Sequence, residues 1–198
     1  MIPIFTNKLN SCHFVFIFPK WIYWILSKFF KKREVWESRS VAVVAIVFGE
    51  FSDGVHVLGE KRSEIIRDEP GKWVAPGGYI DWNENGWDAV RRELYEETSF
   101  LIEDYSKYLA FTNNKEPFYV ETESKECRQN IALNYCLAFD FTLAQKLLPR
   151  DIEQFISEEV DMVHWIPVED IDKYEWAFEH DKRIKMALEK FNILYKKQ

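Results

Sequence analysis

The sequence predicts an α/β fold in which a mixed β-sheet is sandwiched between helices. Three observations carry this. VAVVAIVF (41–48) is a run of eight apolar residues rich in β-branched side chains, the pattern of a buried central strand. Residues 86–98 have helical periodicity, with Trp87, Val90, Leu94 and Ala89 toward one face. FEHDKRIKMALEKFNILY (178–195) reads as a closing helix with Ile184, Ala187, Leu188 and Phe191 inside.

The remaining elements fall between these. SDG (52–54) is a turn signal, and VHVLGEKR (55–62) alternates like the return strand of a hairpin. PGKWVAPGGY (70–79) is loop and short strand, punctuated by Gly and Pro. Segments 101–111, 117–121 and 130–141 read as strands, and VHWIPVEDI (163–171) as a strand entering a short helical turn. There is no internal repeat and no low-complexity linker.

The first 33 residues differ in kind. They contain Lys8, Lys20, Lys28, Lys31, Lys32 and Arg33 and no acid, a net charge of +6. FVFIF (14–18) and WIYWILSKFF (21–30) are aromatic and apolar, interrupted by Pro19 and Lys20. On a helix over 20–31, Ile22, Ile25, Leu26, Phe29 and Phe30 share one side, and Lys20, Ser27 and Lys31 the other. The stretch is too short and too interrupted to cross a bilayer comfortably. It also lacks the small-residue cleavage site of a signal peptide. Three readings stay open: an arm packed on its own domain or on a second subunit, an interfacial membrane helix, or a true span.

The whole chain of 198 residues carries a formal net charge of −7, so the rest has 20 bases against 33 acids, or −13. A body this acidic repels phosphate backbones and is unsuited to non-specific or sequence-specific nucleic-acid binding. Small anions remain acceptable where a metal ion or a few arginines offset the field. Cys12, Cys127 and Cys136 are odd in number and widely spaced, which argues against a disulfide framework or a zinc site. Reduced thiols and the missing signal peptide point to the cytoplasm, with peripheral membrane contact through 14–33 as the alternative.

The chemistry concentrates in GGYIDWNENGWDAVRRELYEETSF (77–100). On a helix, Glu93, Glu96 and Glu97 stand at i, i+3 and i+4 and project from one side. Packed carboxylates repel, so the cluster makes sense around a cation. Oxygen ligands without His or thiolate select a hard ion, Mg²⁺ or Mn²⁺. Arg92 reaches Glu96 one turn on, or Glu84 before the helix, and orients a carboxylate by a forked hydrogen bond. Asn85 is the expected N-cap, with Asp88 as its capping-box partner. Gly77 and Gly78 are expected to let the backbone turn sharply before the helix. A solvated acidic face would explain three glutamates alone, but not the spacing. Gly78, Glu84, Arg92, Glu93, Glu96 and Glu97 are six fixed identities, which match by chance about 5 × 10⁻⁸ of the time per starting point.

The spacing resembles the Nudix box: Gly, five residues, Glu, seven residues, Arg-Glu-apolar-any-Glu-Glu-any-Gly-apolar. One fixed position departs, Ser99 standing where the family has Gly. That Gly ends the helix in a left-handed conformation, where Ser costs about 1 kcal/mol. The resemblance extends over most of 40–195, through the hairpin ending in Arg62, the WVAPGG entry and HWIPVED. It implies a Nudix-type α-β-α sandwich over 34–198, preceded by the 1–33 arm. It implies Glu96 and Glu97 as metal ligands, Glu93 as ligand or general base, and Glu84 and Arg92 as supporting residues. The implied reaction is attack of water at one phosphorus of a diphosphate. Such sites often recruit one more acid from a later loop, and Glu158 and Glu159 are the candidates.

WAFEHDKRIKMAL (176–188) resembles a segment of the ADP-ribose pyrophosphatase-like group, with Glu179 in place of Asp. Phe178 is placed to stack on a base, His180 to hydrogen-bond, Arg62 to clamp a phosphate, and Gly78 to face substrate. Phe118, Tyr119 and Arg128 are further candidates for a nucleoside pocket. The substrate expected is a nucleoside diphosphate derivative such as ADP-ribose or a nucleotide sugar. A nucleoside triphosphate pyrophosphohydrolase and a non-catalytic nucleotide sensor are the alternatives. A homodimer is a further expectation.

Overall fold

The computed structural model describes residues 41–122, 124–125, 128–144 and 158–192, with backbone alone for 124–125 and 128–129. The 1–33 arm, residues 34–40, Cys12, Cys127 and the Arg128 side chain lie outside the described residues.

Strand β1 (Val41–Phe51) is the axis of the fold. It turns at Gly54, where φ is 134°, into antiparallel β2 (Gly54–Arg62). β2 pairs on its other edge with the short β3 (Trp73–Val74) and with β9 (Val160–Pro167). β1 also pairs in parallel with β8 (Ile131–Asp140), the sheet's parallel contact. β4 (Leu109–Thr112) and β5 (Tyr119–Glu121) run antiparallel to β8. The result is a seven-stranded mixed sheet, with a separate ribbon of β6 (Ser124–Lys125) and β7 (Arg128–Gln129).

The period of two along the strands sorts the core onto two faces. Val43, Ala45 and Val47 of β1 join Tyr135, Leu137 and Phe139 of β8 beneath helix α1 (Gly86–Thr98), which contributes Ala89, Val90 and Leu94. Val44, Ile46 and Phe48 join Cys136 on the opposite face beneath helix α2 (His180–Phe191), which contributes Ile184, Ala187 and Leu188. β1 reads as a continuous apolar run because both of its faces are covered. Cys136 is fully enclosed, and burial pushes its thiol pKa up, so it behaves as an apolar filler.

Two expectations are corrected. Residues 101–108 form turns and a 3₁₀ turn (Ser106–Tyr108), so the strand expected over 101–111 is β4 alone. Phe100 and Tyr105 stack with ring centroids 4.6 Å apart, and this local aromatic packing holds the segment as a compact loop. The closing helix starts at His180, not 178, because Phe178 and Glu179 both take left-handed backbone, φ 53° and 59°. Its other end is a left-handed cap at Asn192. Among the described residues no helix is long and apolar enough to cross a membrane.

Candidate metal and diphosphate site

Helix α1 starts as its caps dictate. The Asn85 side chain accepts the Asp88 N–H at 3.0 Å. Its amide in turn donates to the Asp88 carboxylate at 2.6 Å. The helix ends at Ser99 in the left-handed region, φ 56° and ψ 15°, with the Ser99 N–H donating to Tyr95 O at 2.8 Å. Leu94 and Val90 anchor the inner face, which turns the glutamates toward the loop before the helix.

That loop lies tight against β1. Val43 N–H donates to Gly78 O at 2.8 Å, and Ala45 N–H to Pro76 O at 2.8 Å. A Cβ on Gly77 would fall 2.2 Å from Val43 O, and one on Gly78 only 2.5 Å from the Glu93 carboxylate. Neither glycine has a positive φ. Glycine is required here for close approach: no side chain fits between the loop, β1 and the carboxylates. Gly77 N–H donates to Glu97 Oε2 at 2.8 Å, fixing the last box glutamate to the loop.

Arg92 organises the other side of the box. Its Nε and Nη2 each donate to the Glu84 carboxylate at 3.0 Å, the forked geometry that a guanidinium suits. Nη2 also donates to Tyr79 O at 2.9 Å, and Nη1 to Glu93 at 2.8 Å and Glu96 at 3.1 Å. Asp81 N–H donates to Glu84 at 3.1 Å. Burial opposes the charge on Glu84, but the Arg92 fork and the Asp81 N–H win and hold its pKa below the usual value. Both partners expected for Arg92 are thus engaged at once.

The inner carboxyls are shifted the other way. Burial pushes Glu93 up, against the pull of Arg92. Burial, then Glu60 and then Glu93, hold Glu97 well above the usual range. Glu60, which the sequence reading passed over, is 2% exposed, and burial raises its pKa to about 8. It lies within hydrogen-bonding reach of Glu97 and feels Glu93 and Glu159. A signal was present: on β2, Glu60 has the parity of core residue Leu58, so an acid sits at an inward strand position. Glu158 and Glu159 are both exposed, and Glu159 is the one that bears on Glu60 and Glu97.

The donor set fits a hard divalent cation. It is all oxygen, it converges from α1, β2 and the turn before β9, and one buried oxygen, Glu60 Oε2, has no protein partner. Among the described residues no three such groups stand ready-made around a point; Glu93 and Glu96 accept from Arg92, and Glu97 from Gly77 N–H.

The substrate candidates separate. Arg62 sits with Cζ 5.2 Å from the Phe178 ring centroid and donates Nε to Asp68 O at 3.1 Å. His180 is 6% exposed, and its Nδ1 accepts the Ala75 N–H at 2.9 Å. That atom is therefore engaged in holding α2 to the strand entering the glycine pair. Phe118 is buried against Phe191, and Tyr119 is half-buried on β5. Arg183 and Glu121 form a buried ion pair between α2 and β5 that the sequence did not signal.

A mixed sheet between two helices, with a glutamate helix entered through a glycine pair, defines a domain built around a helix-borne carboxylate site. Residues 38–187 match the NUDIX domain, and the chain belongs to that family. An RNA pyrophosphohydrolase of Bradyrhizobium sp. (strain ORS 278) is 41% identical over 49 residues, which cover 24% of this chain and 29% of that relative's length. The fold is similar to that of a C. elegans Ap4A hydrolase binary complex (15% identity, 77% of this chain, 98% of that chain, TM-score 0.56). It is similar to a mutT/nudix family protein from Listeria innocua (21%, 77%, 94%, TM-score 0.57). The NUDIX domain of Shewanella oneidensis NrtR, solved with ADP ribose, covers 88% of this chain and 99% of its own (22%, TM-score 0.52).

Proposed function

We propose that the protein is a divalent-metal-dependent pyrophosphohydrolase that cleaves the diphosphate of a nucleoside diphosphate derivative, of the ADP-ribose or nucleotide-sugar kind. The observation that carries this is the set Glu93, Glu96 and Glu97 on one face of α1, closed by Gly77, Gly78 and the Arg92–Glu84 fork. The sensor reading is disfavoured because every acid of the box is present.

Glu96 and Glu97 would hold the ion, Mg²⁺ with Mn²⁺ as substitute, leaving Glu93 as the base. The ion, when bound, neutralises phosphate oxygens and makes the water more acidic. Glu93 takes the proton of the attacking water; its partly buried position favours the protonated form that results. A new bond forms between water oxygen and phosphorus. The bond from that phosphorus to the bridging oxygen breaks, and the bridging oxygen leaves with the electron pair on the second phosphate. Arg92, held by Glu84, keeps Glu93 in place between turnovers. The Arg62–Phe178 pair would receive a phosphate and a planar base, with Glu159 as the acid from the later turn; the Arg62 contact with the Phe178 ring supports this.

A second reading, removal of diphosphate from a 5′-triphosphate RNA end, is favoured by the RNA pyrophosphohydrolase relative. The net charge of −13 outside the arm opposes it. A panel of ADP-ribose, nucleotide sugars, dinucleoside polyphosphates, nucleoside triphosphates and 5′-triphosphate RNA, assayed with Mg²⁺ for AMP, phosphate and diphosphate, separates these readings. AMP and a sugar phosphate are the products expected. Turnover of none of them by protein that binds Mg²⁺ would overturn the hydrolase reading.

A further inference from the structure

We propose that Glu60 of strand β2 is a ligand of the divalent cation, a carboxylate added to the site from the sheet and not from the helix. This rests on the reading of the α1 glutamates as the metal site.

Glu60 lies on the face of the sheet that α1 covers, two residues after the core residue Leu58. Its backbone is doubly paired, with Val74 of β3 and Val163 of β9, so its position is set by the middle of a sheet. The register between β2 and β9 shifts immediately afterwards, between Lys61 and Arg62. The side chain is 2% exposed. One carboxyl oxygen, Oε2, has no hydrogen-bond partner. The carboxyl is within reach of Glu97 and feels Glu93 and Glu159.

An apolar residue would fill this place at no electrostatic cost. A buried acid with an orphaned oxygen beside three other acids is strongly unfavourable unless a cation joins them. Arg62 is the basic group acting on it, yet it leaves Glu60 Oε2 without a hydrogen bond; its Nε donates to Asp68 O and its Cζ lies over the Phe178 ring. A divalent ion held by Glu97, the acid within hydrogen-bonding reach of Glu60, would give a partner to an oxygen that the protein leaves unpaired. The competing explanation is a structural acid pair in which Glu60 and Glu97 share a proton. A glutamine at 60 would serve that purpose equally well, because its amide donates to Glu97. The two explanations therefore diverge in one substitution.

The test is Mn²⁺ binding to the full-length protein without substrate, followed by the paramagnetic resonance of free Mn²⁺, with circular dichroism as the check on folding. Glu60→Gln, Glu60→Met and Glu97→Gln are compared with the unaltered chain. The expected result is a folded Glu60→Gln protein with Mn²⁺ affinity reduced on the order of tenfold or more. Glu60→Met, which keeps the volume and removes all polarity, is expected to behave the same way. Binding by a folded Glu60 variant within about threefold of the unaltered protein, while Glu97→Gln loses the ion, would overturn the proposal and leave the site reading standing. Wild-type-like binding by Glu97→Gln would remove the site reading, and this proposal with it. Failure of both Glu60 variants to fold would show the carboxyl to be structural and would also overturn it.

Discussion

His180 Nδ1 accepts the backbone N–H of Ala75 at 2.9 Å, joining the first residue of α2 to the segment that enters Pro76, Gly77 and Gly78. Accepting at Nδ1 requires the neutral ring with its proton on Nε2. Burial, then Arg183 and Arg62, hold the His180 pKa well below the usual value of 6.5. The unfolded chain therefore takes up a proton near pH 6.5 while the folded one does not. The stabilisation is full above that pH and is lost as pH falls, at about 1.4 kcal/mol per unit. His180→Asn retains an acceptor for Ala75 and cannot titrate. Urea midpoints from pH 7.5 down to 5 should fall more steeply for the unaltered protein than for this variant. Parallel curves would show that His180 is charged inside the fold.

Glu97→Gln should abolish nearly all turnover while raising the metal-free melting temperature. Removing one charge from the Glu60–Glu93–Glu97 group relieves repulsion that burial amplifies. The amide still accepts Gly77 N–H through its oxygen. Turnover within about threefold of the unaltered enzyme would mean that the ion lies elsewhere.

Exhaustive dialysis against EDTA should stop the reaction, and Mg²⁺ or Mn²⁺ should restore it. The donors are carboxylates only, so a chelator selective for zinc should have no effect. Full activity after EDTA dialysis would count against a metal mechanism.

Ser99→Gly should stabilise the fold by about 1 kcal/mol, because Ser99 holds φ at 56° where only glycine is free of strain. Chemical denaturation at neutral pH measures this. Unchanged or lowered stability would show that the Ser99 side chain contributes more than its backbone strain costs.

Deletion of residues 1–33 should leave a folded, competent domain, because β1 begins at Val41 and the family match at 38. What should change is association: Phe14, Phe16, Phe18, Trp21, Trp24, Phe29 and Phe30 need cover. With protein as the cover, the deletion lowers melting temperature or oligomeric mass. Salt-sensitive liposome binding by the full chain, with mass and stability of the truncated one unchanged, would assign the arm to a membrane surface instead.

Helix α1 was legible to the residue, from Asn85 at one cap to Ser99 at the other, because caps and helical periodicity are local and act within four residues. The Arg92 contacts with Glu84 and Glu96 were legible for the same reason, one being a helical turn and the other a short loop away. The 101–108 segment has the apolar content of a strand but forms a loop, because Tyr105 packs on Phe141 and on Phe100 just before it, which in turn packs on Phe139, and apolar content alone does not distinguish that from pairing.

By itself the sequence determined the chemistry of the site: which acids share a helix face, which arginine orients them, and that a hard ion suits them. These follow from spacing along one element, where neighbours in sequence are neighbours in space. Only the tertiary structure decided which distant groups lie against that helix and its entry. Glu60 reaches Glu97 because β2 lies under α1, and His180 meets Ala75 across 105 residues because α2 closes the opposite face. Contacts of that kind depend on strand order and register, which many sequences with the same local pattern share and no local pattern specifies.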